Sequence, residues 1–105
     1  MTSPANHIHR RRVEFADTDA AGVAHFSRLL AMVEEAEHGF FRERGIPILT
    51  ADSAWPVVKT EVEFCGACRF GEEIEIRPGI SNPANPRWRM PSKGRSMEGR
   101  FFREK

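Results

Sequence analysis

The chain has 105 residues, 40% of them hydrophobic and 30% charged, with a net charge of +1. A chain this short makes one small domain that buries roughly 60–65% of its unfolded surface, and a charge so near zero gives no bulk attraction to nucleic acid or to a membrane. Two cysteines do not make a disulfide scaffold, and no apolar run approaches the roughly 20 residues that span a bilayer.

Met1–His7 has no apolar signal core, so the cytoplasm is the expected compartment. Residues 8–15 read as a first strand, with Ile8, Val13 and Phe15 as its apolar positions and Arg10-Arg11-Arg12 as a polar interruption. It stops at Asp17 and Asp19, two acids one residue apart, followed by a small-residue turn with Gly22. From Phe26 the apolar residues Phe26, Leu29, Leu30, Val33, Ala36, Phe40 and Phe41 recur at spacings of three and four, which predicts one long amphipathic helix. Ser27 is its expected N-cap, and Gly45 followed by Pro47 its stop signal. Glu34, Glu35 and Glu37 fall on the other faces, as a solvated surface or an oligomer contact, and Gly39 reads as a close helix–sheet approach.

Residues 46–54 form a loop, with Trp55-Pro56 anchoring it into the core. Residues 57–64 show the cleanest alternation in the chain and predict a second strand, with Val58, Thr60, Val62 and Phe64 on one face. Cys65-Gly66-Ala67-Cys68 lacks the second cysteine pair that a zinc site needs, and it sits between strands, so a plain hairpin turn is expected there. Residues 72–77 alternate as a third strand with Ile74 and Ile76 inward. His7 and His9 are spaced for one strand face and, with His25, mimic a metal site, but no further ligand cluster supports one.

The tail breaks the pattern. Residues 82–105 contain no Val, Ile or Leu, and three prolines stand within 83–91. Residues 1–80 carry nine Lys/Arg against thirteen Asp/Glu, whereas residues 81–105 carry seven against two. This composition predicts an irregular basic tail over 81–105, with only Arg100–Arg103 able to make a short ordered piece. A shifted reading frame or rearranged gene near residue 80 would account for it.

The run Asp17-Thr18-Asp19-Ala20-Ala21-Gly22-Val23-Ala24-His25-Phe26-Ser27, the helical Glu34-Glu35-Ala36-Glu37, Trp55-Pro56-Val57-Val58 and Arg69-Phe70-Gly71-Glu72-Glu73-Ile74-Glu75-Ile76 together resemble the 4-hydroxybenzoyl-CoA thioesterase family of hotdog-fold proteins over roughly residues 8–80. The resemblance implies an α+β, hotdog-like fold, in which an antiparallel sheet wraps one long central helix. Here the C-terminal strands would be missing or replaced by the irregular tail. Residues 1–80 would then be a partial thioesterase-like domain.

The resemblance also implies an acyl-CoA substrate, no cofactor, no metal, and a homodimer or homotetramer with its site at a subunit interface. Asp19 matches the family's catalytic carboxylate, as nucleophile or general base. The chemistry agrees with that position: unpaired N–H groups at a helix N-terminus favour developing negative charge, so the backbone near His25, Phe26 and Ser27 is the expected oxyanion site. Asp17 and Gly22 would order the loop. The simpler reading of Asp17 and Asp19 is that both cap a turn.

Two other readings compete with an active thioesterase. A catalytically inactive, truncated remnant of the family would act at most as an oligomerisation or binding module, because its missing strands would have covered the helix. A nucleic-acid or partner-binding module would use the basic tail, with Trp88 between Arg87 and Arg89.

Overall fold

A computed structural model of the chain describes residues 7–47, 50–64, 66–79, 87–92 and 95–104. The first strand, β1, is short (His9–Arg12), because Asp17 takes over the backbone that follows. The Asp17 carboxylate accepts the Glu14 N–H at 2.8 Å, and Asp17 N–H bonds back to Glu14 O at 2.9 Å. The result is one 3-10 turn over Phe15–Asp17, a local side-chain bond outcompeting the sheet ladder. Val13 is buried as expected, but Phe15 is 79% exposed and is no part of the core.

Helix α1 (Phe26–Arg44) runs 19 residues, about 28 Å at 1.5 Å per residue. Gly45 closes it with φ +68°, a left-handed conformation that costs glycine little, and Ile46 N–H bonds to Phe41 O at 2.9 Å. Leu29, Met32, Val33, Ala36, Phe40 and Phe41 are buried. Two expectations for this helix are corrected. Glu37 is fully buried rather than solvated, because it lies four residues after Val33 on the same stripe. Gly39 makes no close approach to the sheet: a Cβ there would meet only the flexible end of Arg42, at 3.9 Å.

Strands β2 (Val57–Phe64), β3 (Glu73–Gly79), β4 (Arg87–Ser92) and β5 (Arg95–Arg103) join β1 in one antiparallel sheet, ordered β1-β3-β4-β5-β2. The sheet packs on α1 through Ile74, Ile76, Trp88, Met90, Met97 and Phe101, against Leu29, Met32, Val33 and Ala36. The hotdog-like arrangement therefore forms, and the expectation that its last strands are missing is corrected. Residues 87–90 and 97–103 alternate in and out, but with Trp88, Met90, Met97 and Phe101 on the inner face in place of Val, Ile and Leu. Pro91 falls beyond Arg89, the last β4 residue that pairs with β3, where the strand has one neighbour and tolerates a missing donor. The run 82–86, which holds the other two prolines, lies outside the described residues. With strands after residue 86, the change in composition near residue 80 is no longer a sign of lost structure.

The hairpin turn expected at Cys65-Gly66-Ala67-Cys68 is also corrected, because β2 and β3 are not neighbours: β4 and β5 lie between them. Cys65 lies outside the described residues, and Cys68 is buried with its Sγ 3.9 Å from Met90 Sδ. β2 is an edge strand whose register shifts between Val57 and Lys59, so the predicted face is interrupted. Val57 and Val62 turn inward, while Val58 and Phe64 are 55% and 44% exposed. Trp55 packs against the Phe40–Phe41 cluster, as Ile46 does, and anchors its loop as expected. Among the described residues, no helix is long and apolar enough to cross a membrane.

Candidate active site

Residues 17–25 form a closed loop between β1 and α1. His25 N–H bonds to Asp17 O at 2.9 Å, Thr18 bridges Ala24, and Asp19 N–H bonds to Val23 O at 2.9 Å. The tip is a four-residue turn in which Gly22 N–H returns to Asp19 O at 3.0 Å. Gly22 has φ +80°, a left-handed conformation that glycine adopts without the strain a Cβ brings. The crossover from β2 to β3 braces this loop: Ala24 N–H bonds to Cys68 O at 2.7 Å, Phe70 N–H to Gly22 O at 3.3 Å, and Val23 bridges Arg69.

The two acids have separate environments. Asp17 is 1% exposed and sits between two arginines. Arg11 of β1 donates to it with both ends of its fork, and Arg28 of α1 donates through Nε at 3.1 Å and Nη2 at 3.0 Å. The Arg11 hydrogen bond, more than any other contact, holds the Asp17 carboxyl down at about 2 against an ordinary 3.8, despite its burial. Asp17 therefore ties β1, the loop and α1 together.

Asp19 is exposed at the corner of the turn. Its Oδ1 accepts the Ala21 N–H at 2.9 Å, and its Oδ2 has no hydrogen-bond partner among the described residues.

His25, and not Ser27, caps the helix. Its Nδ1 accepts the Ser27 N–H at 3.2 Å and lies 2.8 Å from Ser27 Oγ. The His25 ring also lies against Phe26, with centroids 4.5 Å apart. Of the three backbone groups expected to form an oxyanion site, the His25 N–H is committed to Asp17 O and the Ser27 N–H to His25. The Phe26 N–H has no acceptor among the described residues. His7 is held elsewhere, on Glu43 at 2.7 Å.

Sequence reasoning missed Arg11 and Arg28. Arg11 was hidden in a run of three arginines, and the one available signal for Arg28 was a cation placed in the first turn of a helix, where the dipole does not favour it. It also missed the aromatic rim. Phe15 and Phe70 meet edge to face at 6.1 Å beside the loop, and with Phe26 they are 79%, 59% and 58% exposed.

No family model matches the sequence. Its curated relatives include a 1,4-dihydroxy-2-naphthoyl-CoA hydrolase from Synechococcus elongatus, 30% identical over 97 residues, covering 82% of this chain and 67% of the relative. The chain belongs to the hotdog-fold thioesterase family. A second 1,4-dihydroxy-2-naphthoyl-CoA hydrolase, from Crocosphaera subtropica, is 33% identical over 72 residues, covering 65% of this chain and 53% of the relative. This hotdog-fold chain thus spans about half to two thirds of the length of these curated relatives. Among solved structures, a 1,4-dihydroxy-2-naphthoyl-CoA thioesterase from Synechocystis shares the fold with a TM-score of 0.76 at 18% identity, over 92% of this chain and 79% of the other.

Proposed function

We propose that this protein is an acyl-CoA thioesterase that releases a free acid and CoA, with Asp19 as the catalytic carboxylate. The observation that carries the reading is the free Oδ2 of Asp19, held on a closed loop that leads into α1, whose Phe26 N–H is uncommitted among the described residues. As general base, Asp19 takes a proton from water as the water oxygen attacks the thioester carbon. The carbonyl oxygen becomes an oxyanion, and the Phe26 N–H at the helix N-terminus stabilises it. When the C–S bond breaks, the thiolate recovers the proton from Asp19. As nucleophile, Asp19 would attack the thioester carbon and expel the CoA thiolate as the C–S bond breaks, leaving a mixed anhydride that water hydrolyses to the free acid and the regenerated carboxylate.

The names of the curated relatives support an aromatic acyl group, of which 4-hydroxybenzoyl is the smaller and 1,4-dihydroxy-2-naphthoyl the larger form. The exposed rim of Phe15, Phe26 and Phe70 supports a site completed by a second copy in a homodimer or homotetramer. The presence of β4 and β5 supports the enzyme over the inactive remnant, whose ground was their absence.

The test is release of free CoA thiol from a panel of aromatic and aliphatic acyl-CoAs. Turnover of the aromatic substrates should fall by about 10²–10⁴-fold in Asp19→Asn. Equal turnover in both proteins would remove Asp19 from the chemistry. Folded wild-type protein with no turnover on any substrate would favour the inactive remnant.

A further inference from the structure

The sheet face turned away from α1 carries a groove of about 500 Å³, within the 300–1,000 Å³ of small-molecule sites. Its basic half is unusual in register. Arg77 stands directly opposite Arg89 across β3 and β4, and Arg87 directly opposite Arg100 across β4 and β5. Like charges so placed destabilise a sheet, and here two such pairs adjoin. At the β1–β3 edge the facing charges are complementary instead, as in Arg10 opposite Glu75, an ion pair of 3.4 Å. Arg77 is engaged by Glu75 at 3.1 Å, and Arg100 lies 5.5 Å above the Phe102 ring. Arg87 and Arg89 form neither ion pair nor hydrogen bond among the described residues, although Glu98 stands directly opposite Arg89.

We propose that this groove binds the pyrophosphate group of a nucleoside-diphosphate ligand, free or as part of a larger molecule. The planar guanidinium fork matches phosphate oxygens two at a time, and an anion between the facing arginines relieves their repulsion. The other half of the groove carries Glu61 and Glu63 of β2, with Glu61 opposite Arg100 and Glu63 opposite Glu98. A long polyanion laid across the whole face would meet those carboxylates. A compact ligand with phosphates at one end and sugar hydroxyls or a base amino group at the other places donors against them. None of these side chains belongs to the Asp19 loop, so the site stands or falls apart from thioester hydrolysis.

Isothermal titration calorimetry of the full chain with ADP and with inorganic pyrophosphate tests the proposal. Both should bind saturably, and affinity should drop about tenfold or more in the Arg87→Gln/Arg89→Gln double variant, since each fork supplies charge-assisted bonds. Binding should also weaken on raising salt from roughly 50 to 200 mM, while Glu63→Gln should leave pyrophosphate affinity equal or higher. Without ligand, the double variant should unfold at the wild-type temperature or above, because repulsion is removed. CoA that displaces ADP would identify the nucleotide end of an acyl-CoA as the source of the pyrophosphate, and CoA that does not would identify free nucleotides. Absence of saturable ADP and pyrophosphate binding by folded wild type would overturn the proposal. So would binding undiminished in the folded double variant.

Discussion

Asp17 and Asp19 are chemically the same residue two positions apart, yet one is buried between two guanidinium groups and the other keeps an oxygen open to solvent. Asp17→Asn would leave Arg11 and Arg28 facing each other around a neutral amide, and the depression of the carboxyl from 3.8 to about 2 corresponds to a loss of about 2–3 kcal/mol in urea unfolding. Its titration has a definite sign. A carboxyl held at about 2 in the folded chain against 3.8 unfolded contributes fully above pH 3.8, and that contribution disappears as pH falls toward 2.

Glu37 has the opposite sign. Burial pushes it up to about 7 from 4.5, although Arg103 donates to it at 2.8 Å. The folded chain therefore holds a proton there that the unfolded chain has lost, and stability falls as pH rises from 4.5 to about 7. Glu37→Gln should flatten the dependence of Tm on pH across that window while leaving the acid limb due to Asp17 intact. An unchanged slope between those pH values would show that Glu37 does not titrate there.

At the scale of elements, the two glycines on α1 and β5 make opposite predictions. A Cβ at Gly99 would stand 2.2 Å from Glu61 O and 3.1 Å from Trp88, so the β2–β5 pairing cannot close around it. Gly99→Ala should cost about 3 kcal/mol or more. Gly39→Ala meets only the end of a flexible arginine, and should add up to about 1 kcal/mol through helix propensity. Thermal unfolding of the two variants side by side reads both signs. Neither outcome was legible from sequence, where Gly39 drew attention and Gly99 lay in a segment read as irregular. Helix α1 and the residues of β2 were legible because spacings of three and four, and of two, are local properties. The inner faces of β4 and β5 were missed because Trp88, Met90, Met97 and Phe101 supply a period of two without a single β-branched residue. The inner face of β2 was misread at its start, because the register shift between Val57 and Lys59 puts Val57, and not Val58, on the same side as Val62.

For the whole molecule, the sheet order leaves β1 and β2 as edges, and β2 is eight residues long with Val58 and Phe64 exposed. An open edge of that length is a template for pairing. Light scattering should therefore find a dimer or tetramer, and Val58→Lys with Thr60→Pro should shift it toward the monomer. A wild-type monomer at working concentration would count against a site shared between copies. The sequence by itself determined the long helix with its stop at Gly45, the second and third strands, and the acidic loop that carries the family likeness, because each rests on spacing within a few residues. Only the tertiary structure decided which acid is buried, which backbone N–H remains free, that β2 and β3 lie apart, and that arginines 77, 87, 89 and 100 share one face. Those outcomes depend on which distant strands pair and in what register, and local spacing carries no record of that choice.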